Sequence, residues 1–391
     1  MKILQVFDFF SPLHGGGIVS VVYQLSRALA DRGHDVSIYT SDFERDDEYI
    51  RSIPKVKVHT FRSVLDLYGF HFTPDVKREA KAHLRDFDIV HFQCYRSYQN
   101  AALFKYLKKF KIPYVIDSHG TVSSTVRQGR KRIFDLLIGY RMIRNASRCI
   151  AETEVGIDEY MTMGVDDERI VLLPPGFNTD EYKVLPAEGN FRKKFRITAK
   201  KLVMFFGRIN HIKGVDFLVE SFGELVKEEK DAVLVLAGPD DGLKPVLLEM
   251  IKKLNLGDKV LFTGFLSNED KLNALVDADL VVQPSRYENG IAWSSLDALM
   301  CNTPIIVCEG TGSAEDVRKM DGGFIVPFGA AQEMRKMMIY VLEHPEAGDQ
   351  KVKNAKKYIE ENLSLHRNII EYENMYQQCI TENKIKTAVS L

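Results

Sequence analysis

A chain of 391 residues that is 45% hydrophobic and 27% charged carries enough apolar material for two packed cores rather than one. A formal net charge of -1 excludes a global field for DNA or RNA, so no nucleic acid is expected as a partner and any attraction to anions is local. The five cysteines (Cys94, Cys149, Cys301, Cys308, Cys379) are odd in number and lack Cys-x-x-Cys spacing, which argues against a disulfide framework and a zinc site and for a cytoplasmic location.

Met1 to Phe10 reads as a first strand rather than a signal, since Asp8 interrupts it and no small-residue cleavage pattern follows. No window offers the ~18 uninterrupted apolar residues of a spanning helix. Strand-length apolar runs then recur between amphipathic stretches: Ile3 to Phe7, Asp35 to Tyr39, Ile89 to Phe92, Tyr114 to Ile116 and Cys149 to Ala151. The second half repeats the pattern at Leu202 to Phe206, Ala232 to Ala237, Val260 to Phe262, Leu280 to Gln283, Pro304 to Val307 and Gly323 to Val326. Strand and helix alternating twice over predict an α/β chain of two doubly wound parallel-sheet, Rossmann-like domains facing a cleft. Breakers concentrate from Pro174 to Gly189, which sets the expected domains at 1–185 and 186–365. Residues 366–391 should form a helix, with Ile369, Ile370, Tyr372 and Tyr376 as its apolar face, packed back on the first domain.

Four places along this frame carry chemistry. His14-Gly15-Gly16-Gly17 follows the first strand, and glycines there let backbone approach a ligand, though a plain turn explains them equally well. His119, in Asp117-Ser118-His119-Gly120, stands directly after a strand, at the sheet edge where ligands bind, with a structural role equally open. Gly207-Arg208-Ile209-Asn210-His211-Ile212-Lys213-Gly214 sets an Arg and a Lys five residues apart between a buried strand and a helix start. In a parallel sheet that position receives anions. After the strand ending at Gln283, a loop carries Glu288, and a helix beginning near Ala292 and Trp293 carries Asp297. Such carboxylates suit sugar and ribose hydroxyls, while the helix start offers N–H groups to phosphate.

Taken together, these motifs resemble the retaining glycosyltransferases of the GT-B fold, in family four. The likeness runs from Gly15-Gly16-Gly17 through Asp117-Ser118-His119-Gly120, Pro174-Pro175-Gly176-Phe177-Asn178 and Gly207-Arg208 with Lys213-Gly214 to Pro284-Ser285 and Met300. It implies a nucleotide-diphosphate sugar held mainly by the C-terminal domain, an acceptor pocket in the N-terminal one, and no metal cofactor. By the same likeness, Arg208 and Lys213 would grip the diphosphate, His119 would contact the donor sugar, and Gly16 and Gly17 would approach phosphate or acceptor. Glu288 would bind sugar hydroxyls and Asp297 the ribose, with Ala292 and Trp293 at the donor. The family leaves seven residues between its two glutamates, whereas eight separate Glu288 from Asp297 here, so either Glu288 or Asn289 fills the first position. Ala292 also stands where the family usually has Gly.

The resemblance implies transfer of a hexose-type sugar from a UDP- or GDP-sugar to a hydroxyl of a glycan or lipid-linked acceptor, with retention of configuration. A donor-binding scaffold without turnover and a sugar-nucleotide epimerase are the alternatives. Asp86-Phe87-Asp88 and Asp277-Ala278-Asp279 have metal-binding spacing, but both lead from helix into strand, at the sheet edge opposite the ligands. Residues 126–148 hold Arg127, Arg130, Lys131, Arg132, Arg141, Arg144 and Arg148 against the single acid Asp135. Ile133, Leu136, Leu137, Tyr140 and Ile143 would share one helical face, with Arg141, Arg144 and Arg148 on another. This is either a solvated amphipathic helix or a patch for an anionic membrane surface, which would make the protein peripheral at the inner face of the cell membrane. Leu67-Tyr68-Gly69-Phe70-His71-Phe72 adds an apolar loop on the same domain.

Overall fold

The structure, a computed structural model, describes residues 1–391 except 13–15, 68–69, 123–127, 267, 291 and 390–391, together with the side chains of Leu67, Gln128, Arg130 and Asn268. His14, Gly15, Tyr68, Gly69 and Arg127 therefore lie outside the described residues. The chain divides into two compact units: Met1–Asn178 with Leu363–Leu391, and Thr179–Asn362.

In chain order the first unit contributes β1 (Lys2–Phe9), β2 (Asp35–Ser41), β3 (Lys57–Phe61), a short hairpin of β4 (Leu65–Leu67) and β5 (Phe70–Phe72), then β6 (Ile89–Gln93), β7 (Tyr114–Asp117), β8 (Arg148–Ala151) and β9 (Ile170–Leu172). Seven of these form one sheet in the order β3-β2-β1-β6-β7-β8-β9, with every pair parallel. The order reverses between β1 and β6, which puts the unit's crevice at their carboxyl ends. Because side chains alternate along a strand, Leu4, Val6, Val90 and Phe92 face one core while Ile3, Phe7, Ile89 and Val115 face the other.

That second core is closed by the C-terminal helix Leu365–Val389, which buries Ile369, Tyr372, Tyr376 and Cys379. Ile370, expected on the same face, is exposed. The i, i+3, i+7, i+10 spacing of the buried set follows one stripe of the helix, and Ile370 lies a residue off it.

The second unit contributes β10 (Lys201–Phe206), β11 (Ala232–Ala237), β12 (Val260–Gly264), β13 (Leu280–Gln283), β14 (Ile305–Cys308) and β15 (Phe324–Val326). Their order is β12-β11-β10-β13-β14-β15, again all parallel, and it reverses between β10 and β13. Helices in both units start with side-chain caps just past strand ends: Ser97 after β6, Thr153 after β8 and Thr311 after β14 each accept an N–H from their helix's first turn. Helix starts and strand ends thus share the edge at which a ligand would enter.

Three of the four Asp-x-Asp carboxylates are engaged at the other edge, while Asp86 is exposed beside His83. Asp88 accepts the N–H of Lys2 at 2.7 Å, Asp277 that of Arg192 at 2.8 Å, and Asp279 pairs with the Arg192 guanidinium at 2.8 Å.

Candidate active site

In the second unit, the loops that leave β10 and β13 meet at the point where the strand order reverses. Gly214 has a left-handed backbone (φ 66°), and a Cβ placed on it would stand 2.0 Å from the Pro284 carbonyl oxygen. Only glycine lets the end of the Lys213 loop press against the start of the Glu288 loop. Arg286 fastens the two further, with its backbone N–H on Ile212 O at 2.8 Å and its guanidinium bidentate to Asp216 at 2.8 and 2.6 Å. Burial works against the Asp216 carboxylate, but the hydrogen bond and charge of Arg286 outweigh it and hold its pKa below the ordinary range.

So fastened, the loops bring Lys213 and Glu288 together. The Lys213 ammonium contacts Glu288 Oε1, which also accepts from Ser285 Oγ at 3.0 Å. Their side chains are 20% and 17% exposed, so the pair is neither free in solvent nor sealed away. Arg208 is more open and has Asp241 Oδ2 3.3 Å from Nη1. Asn210 caps the turn between the two cations by accepting the Lys213 N–H at 3.1 Å.

On the other side of the Glu288 loop stands the helix Gly312–Met320. The Gly312 N–H donates to Glu288 O at 2.8 Å and Ser313 Oγ to Gly290 O at 2.9 Å. A Cβ on Gly312 would come within 2.0 Å of Asn289 O, so the loop can lie this close only against glycine. Asn289 Oδ1 is buried and has no hydrogen-bond partner among the described residues.

Ala292 precedes the helix Trp293–Met300 without a side-chain cap, and Ser294 Oγ is 2.8 Å from Gln283 Nε2, which also donates to Phe206 O at 2.8 Å. Asp297 is turned inward: it accepts from the Tyr182 hydroxyl and faces the Lys271 ammonium at 3.2 Å. Burial alone would depress Lys271, but the charge of Asp297 prevails and raises its pKa. Burial and the same carboxylate raise that of Tyr182.

In the first unit, Gly16 opens the helix Gly16–Asp31 with φ 56°, exposed, and Gly17 follows half-buried. His119 sits in the loop after β7 with a left-handed backbone (φ 47°) and a buried imidazole. Its Nδ1 lies 2.6 Å from Glu152 Oε1 and its Nε2 2.7 Å from Gln93 Oε1. Burial lowers the pKa of His119, but the charges of Asp117 and Glu152 and the Glu152 hydrogen bond reverse this and raise it to about 9. As an imidazolium it donates from both nitrogens. The network continues inward, Gln93 Nε2 donating to Gln5 Oε1 at 2.7 Å and His91 Nδ1 meeting the Tyr376 hydroxyl at 2.7 Å. Potential metal-ligand atoms of Asp117, His119 and Glu152 lie within 4.8 Å of one another, the one such cluster among the described residues, and both His119 nitrogens already face acceptors.

The basic stretch differs from its expected layout. Arg148 lies in β8 and pairs with Glu382 of the C-terminal helix at 2.6 Å, and Arg144 Nε donates to Met163 O at 2.8 Å. The inward face carries Phe134, Ile138, Met142 and Ile143 together with Asp135, whereas Ile133, Leu136 and Leu137 are exposed. Apolar residues run all around this segment, and the interior face is the one holding the acid, tolerated because Arg96 pairs with it at 2.7 Å.

Comparison with known proteins decides the family. The model for glycosyl transferases group 1 matches residues 187–358, and that for glycosyltransferase family 4 matches residues 15–181. The chain belongs to this family of GT-B glycosyltransferases. An uncharacterized glycosyltransferase of Methanocaldococcus jannaschii is 21% identical over 96% of this chain and 98% of its own length. Alpha-D-kanosaminyltransferase of Streptomyces kanamyceticus is 26% identical over 86% and 92%. Among solved structures, Anabaena HepE in complex with UDP and glucose superposes with a TM-score of 0.81 at 18% identity, covering 97% of this chain and all of that one. HepE was solved with UDP, with UDP and glucose, and with UDP-glucose.

Several residues that shape the transferase's site escaped the sequence reading. Glu152 follows β8 directly, so a carboxylate just past a strand end was a usable signal. Gly312 follows β14 in Gly310-Thr311-Gly312, a glycine pair before a helix. Lys271, Tyr182 and the Arg286–Asp216 pair had no local signature, since each partner comes from a distant segment.

Proposed function

We propose that the transferase moves a hexose-type sugar from a UDP- or GDP-sugar to a hydroxyl of a glycan or lipid-linked acceptor, with retention of configuration. The observation that carries this reading is the meeting of Lys213 and Glu288 at the β10–β13 reversal, beside Arg208. That edge is where a parallel sheet receives a ligand, and it offers two cations for a diphosphate and a carboxylate for sugar hydroxyls. HepE was solved with UDP-glucose, which favours uridine as the base.

In this mechanism the leaving diphosphate takes the acceptor proton on the face of departure, so no protein nucleophile is required. Arg208 and Lys213 stabilise the charge that grows as the glycosidic bond breaks, and no metal is needed. His119, as an imidazolium held by Glu152 and Gln93, adds a positive charge to the first unit's edge. Gly16 and Gly17 leave room for phosphate or acceptor, and Ala292 and Trp293 start the helix that carries Asp297 toward the ribose. Asp297 would then exchange its contact with Tyr182 or Lys271 for the ribose hydroxyls. The enzyme works in the cytoplasm, at the inner face of the cell membrane; no helix among the described residues is long and apolar enough to cross it.

A calorimetric screen of UDP-, GDP- and ADP-sugars, followed by mass spectrometry of products and NMR of the new anomeric centre, tests the proposal. An axial donor should give an axial product. Inversion would sink the retaining mechanism, donor conversion without acceptor would indicate an epimerase, and binding without any product would leave a scaffold.

A further inference from the structure

Ile133, Leu136 and Leu137 are 60%, 74% and 74% exposed, although the same segment buries Met142 and Ile143 in the core of the first unit and packs the half-buried Phe134 and Ile138 against it. Three adjacent large aliphatic side chains held in water are costly unless something covers them. Their charged neighbours indicate what does. Arg132 and Arg141 are exposed on either side of the triad, and the segment's single acid, Asp135, is buried against Arg96. The outward face is therefore apolar at its centre and cationic at its edges, as in helices that lie in a lipid interface.

We propose that this face docks the transferase on an anionic lipid bilayer, with Ile133, Leu136 and Leu137 inserted below the headgroups and Arg132 and Arg141 among the lipid phosphates. The proposal rests on the membrane-peripheral reading above and deepens it by naming the inserted residues. The neighbouring hairpin widens the patch: Phe70 packs against Phe134 with ring centroids 6.4 Å apart, and Val64 and Leu65 are exposed beside it.

The docking face is fastened to the loops of the crevice. Arg96, just past β6, forms two hydrogen bonds to Asp135 (3.0 and 2.7 Å) and donates to the carbonyls of Thr121 and Val122, in the loop that carries His119. A bilayer under Leu136 and Leu137 thus stands at a fixed offset from the carboxyl ends of β6 and β7, where a lipid-borne hydroxyl would be delivered.

The test is flotation of the full chain with vesicles of phosphatidylcholine alone or mixed with phosphatidylglycerol. Three proteins are compared: wild type, Ile133→Ser/Leu136→Ser/Leu137→Ser, and Arg132→Glu/Arg141→Glu. Wild type should prefer the mixed vesicles. The serine variant should partition at least about tenfold more weakly even at low salt, and the glutamate variant should lose the preference for anionic lipid. All substituted side chains are exposed, so melting temperature and UDP binding by calorimetry should stay as in wild type. Equal flotation of the serine variant and wild type, or a wild type that ignores both vesicle types, would overturn the proposal. So would a wild-type dimer in sedimentation that the serine variant abolishes, since the face would then belong to a second copy. UDP-sugar binding is read separately, so a failure of the donor reading and a failure of the lipid reading are distinguishable.

Discussion

Lys213 and Glu288 come from loops seventy-five residues apart, and the ammonium of one contacts a carboxylate oxygen of the other where β10 and β13 lie side by side. The contact needs Gly214 against Pro284 on one side and Gly312 against Asn289 on the other. A cation and a carboxylate held together before a substrate arrives leave little to reorganise when it does.

Gly312→Ala tests how far the site depends on that fastening. The added Cβ would sit 2.0 Å from Asn289 O, and the Glu288 loop must move to relieve it. A displacement near 1 Å costs on the order of 10²-fold in rate, while overpacking costs about 1–3 kcal/mol in stability. Steady-state kinetics should show kcat/KM falling far more than the melting temperature. Unchanged kinetics would mean that the loop's position is unimportant.

Lys271 and Asp297 form an ion pair whose side chains are 16% and 10% exposed. Lys271→Met leaves the carboxylate buried and short of its cation, which should destabilise the second unit by about 3–5 kcal/mol. Urea unfolding followed by the fluorescence of Trp293, the chain's one tryptophan, reads this unit directly. Adding Asp297→Leu should recover much of the loss. A single Lys271→Met variant as stable as wild type would refute the importance of the pair.

Stability should fall as pH rises. His119 has a pKa of about 9 in the folded chain against 6.5 ordinarily, so its contribution is complete below about pH 6.5 and is lost as pH passes about 9. Asp117, raised by burial to about 7 from 3.8, acts in the same direction at lower pH, because the folded chain holds its proton longer. Between pH 6 and 9.5 the unfolding free energy should drop by on the order of 1–3 kcal/mol. His119→Gln should flatten that slope in urea titrations. The same slope in both proteins would contradict the assignment of the raised pKa to His119.

Much of the fold was legible because buried parallel strands are continuous apolar runs, and all eleven of those expected are present. Four strands escaped: Leu65–Leu67 and Phe70–Phe72, a hairpin where an apolar loop was expected, and two others that lie at sheet edges. Lys57–Phe61 and Ile170–Leu172 occupy the two edges of the first sheet, where a strand is half-solvated or very short and the apolar run breaks up. The cation loop after β10 was legible because charge follows a buried strand without interruption. The supports of that loop were not, since Arg286 reaches Asp216 across seventy residues and Gly312 matters only through the carbonyl it meets. The helix at 128–144 misled for a different reason: it is apolar on both sides, and the paired Asp135 marks the inner one.

The central claim is that Lys213 and Arg208 carry the charge of a departing diphosphate. Single-turnover transfer from the preferred donor, measured for Lys213→Ala and Arg208→Ala beside wild type, tests it most directly. Each variant should melt near the wild-type temperature and transfer about 10²–10³-fold more slowly, the loss of ~2.7–4 kcal/mol that removing one such contact costs. Transfer at nearly the wild-type rate in either variant would contradict the claim.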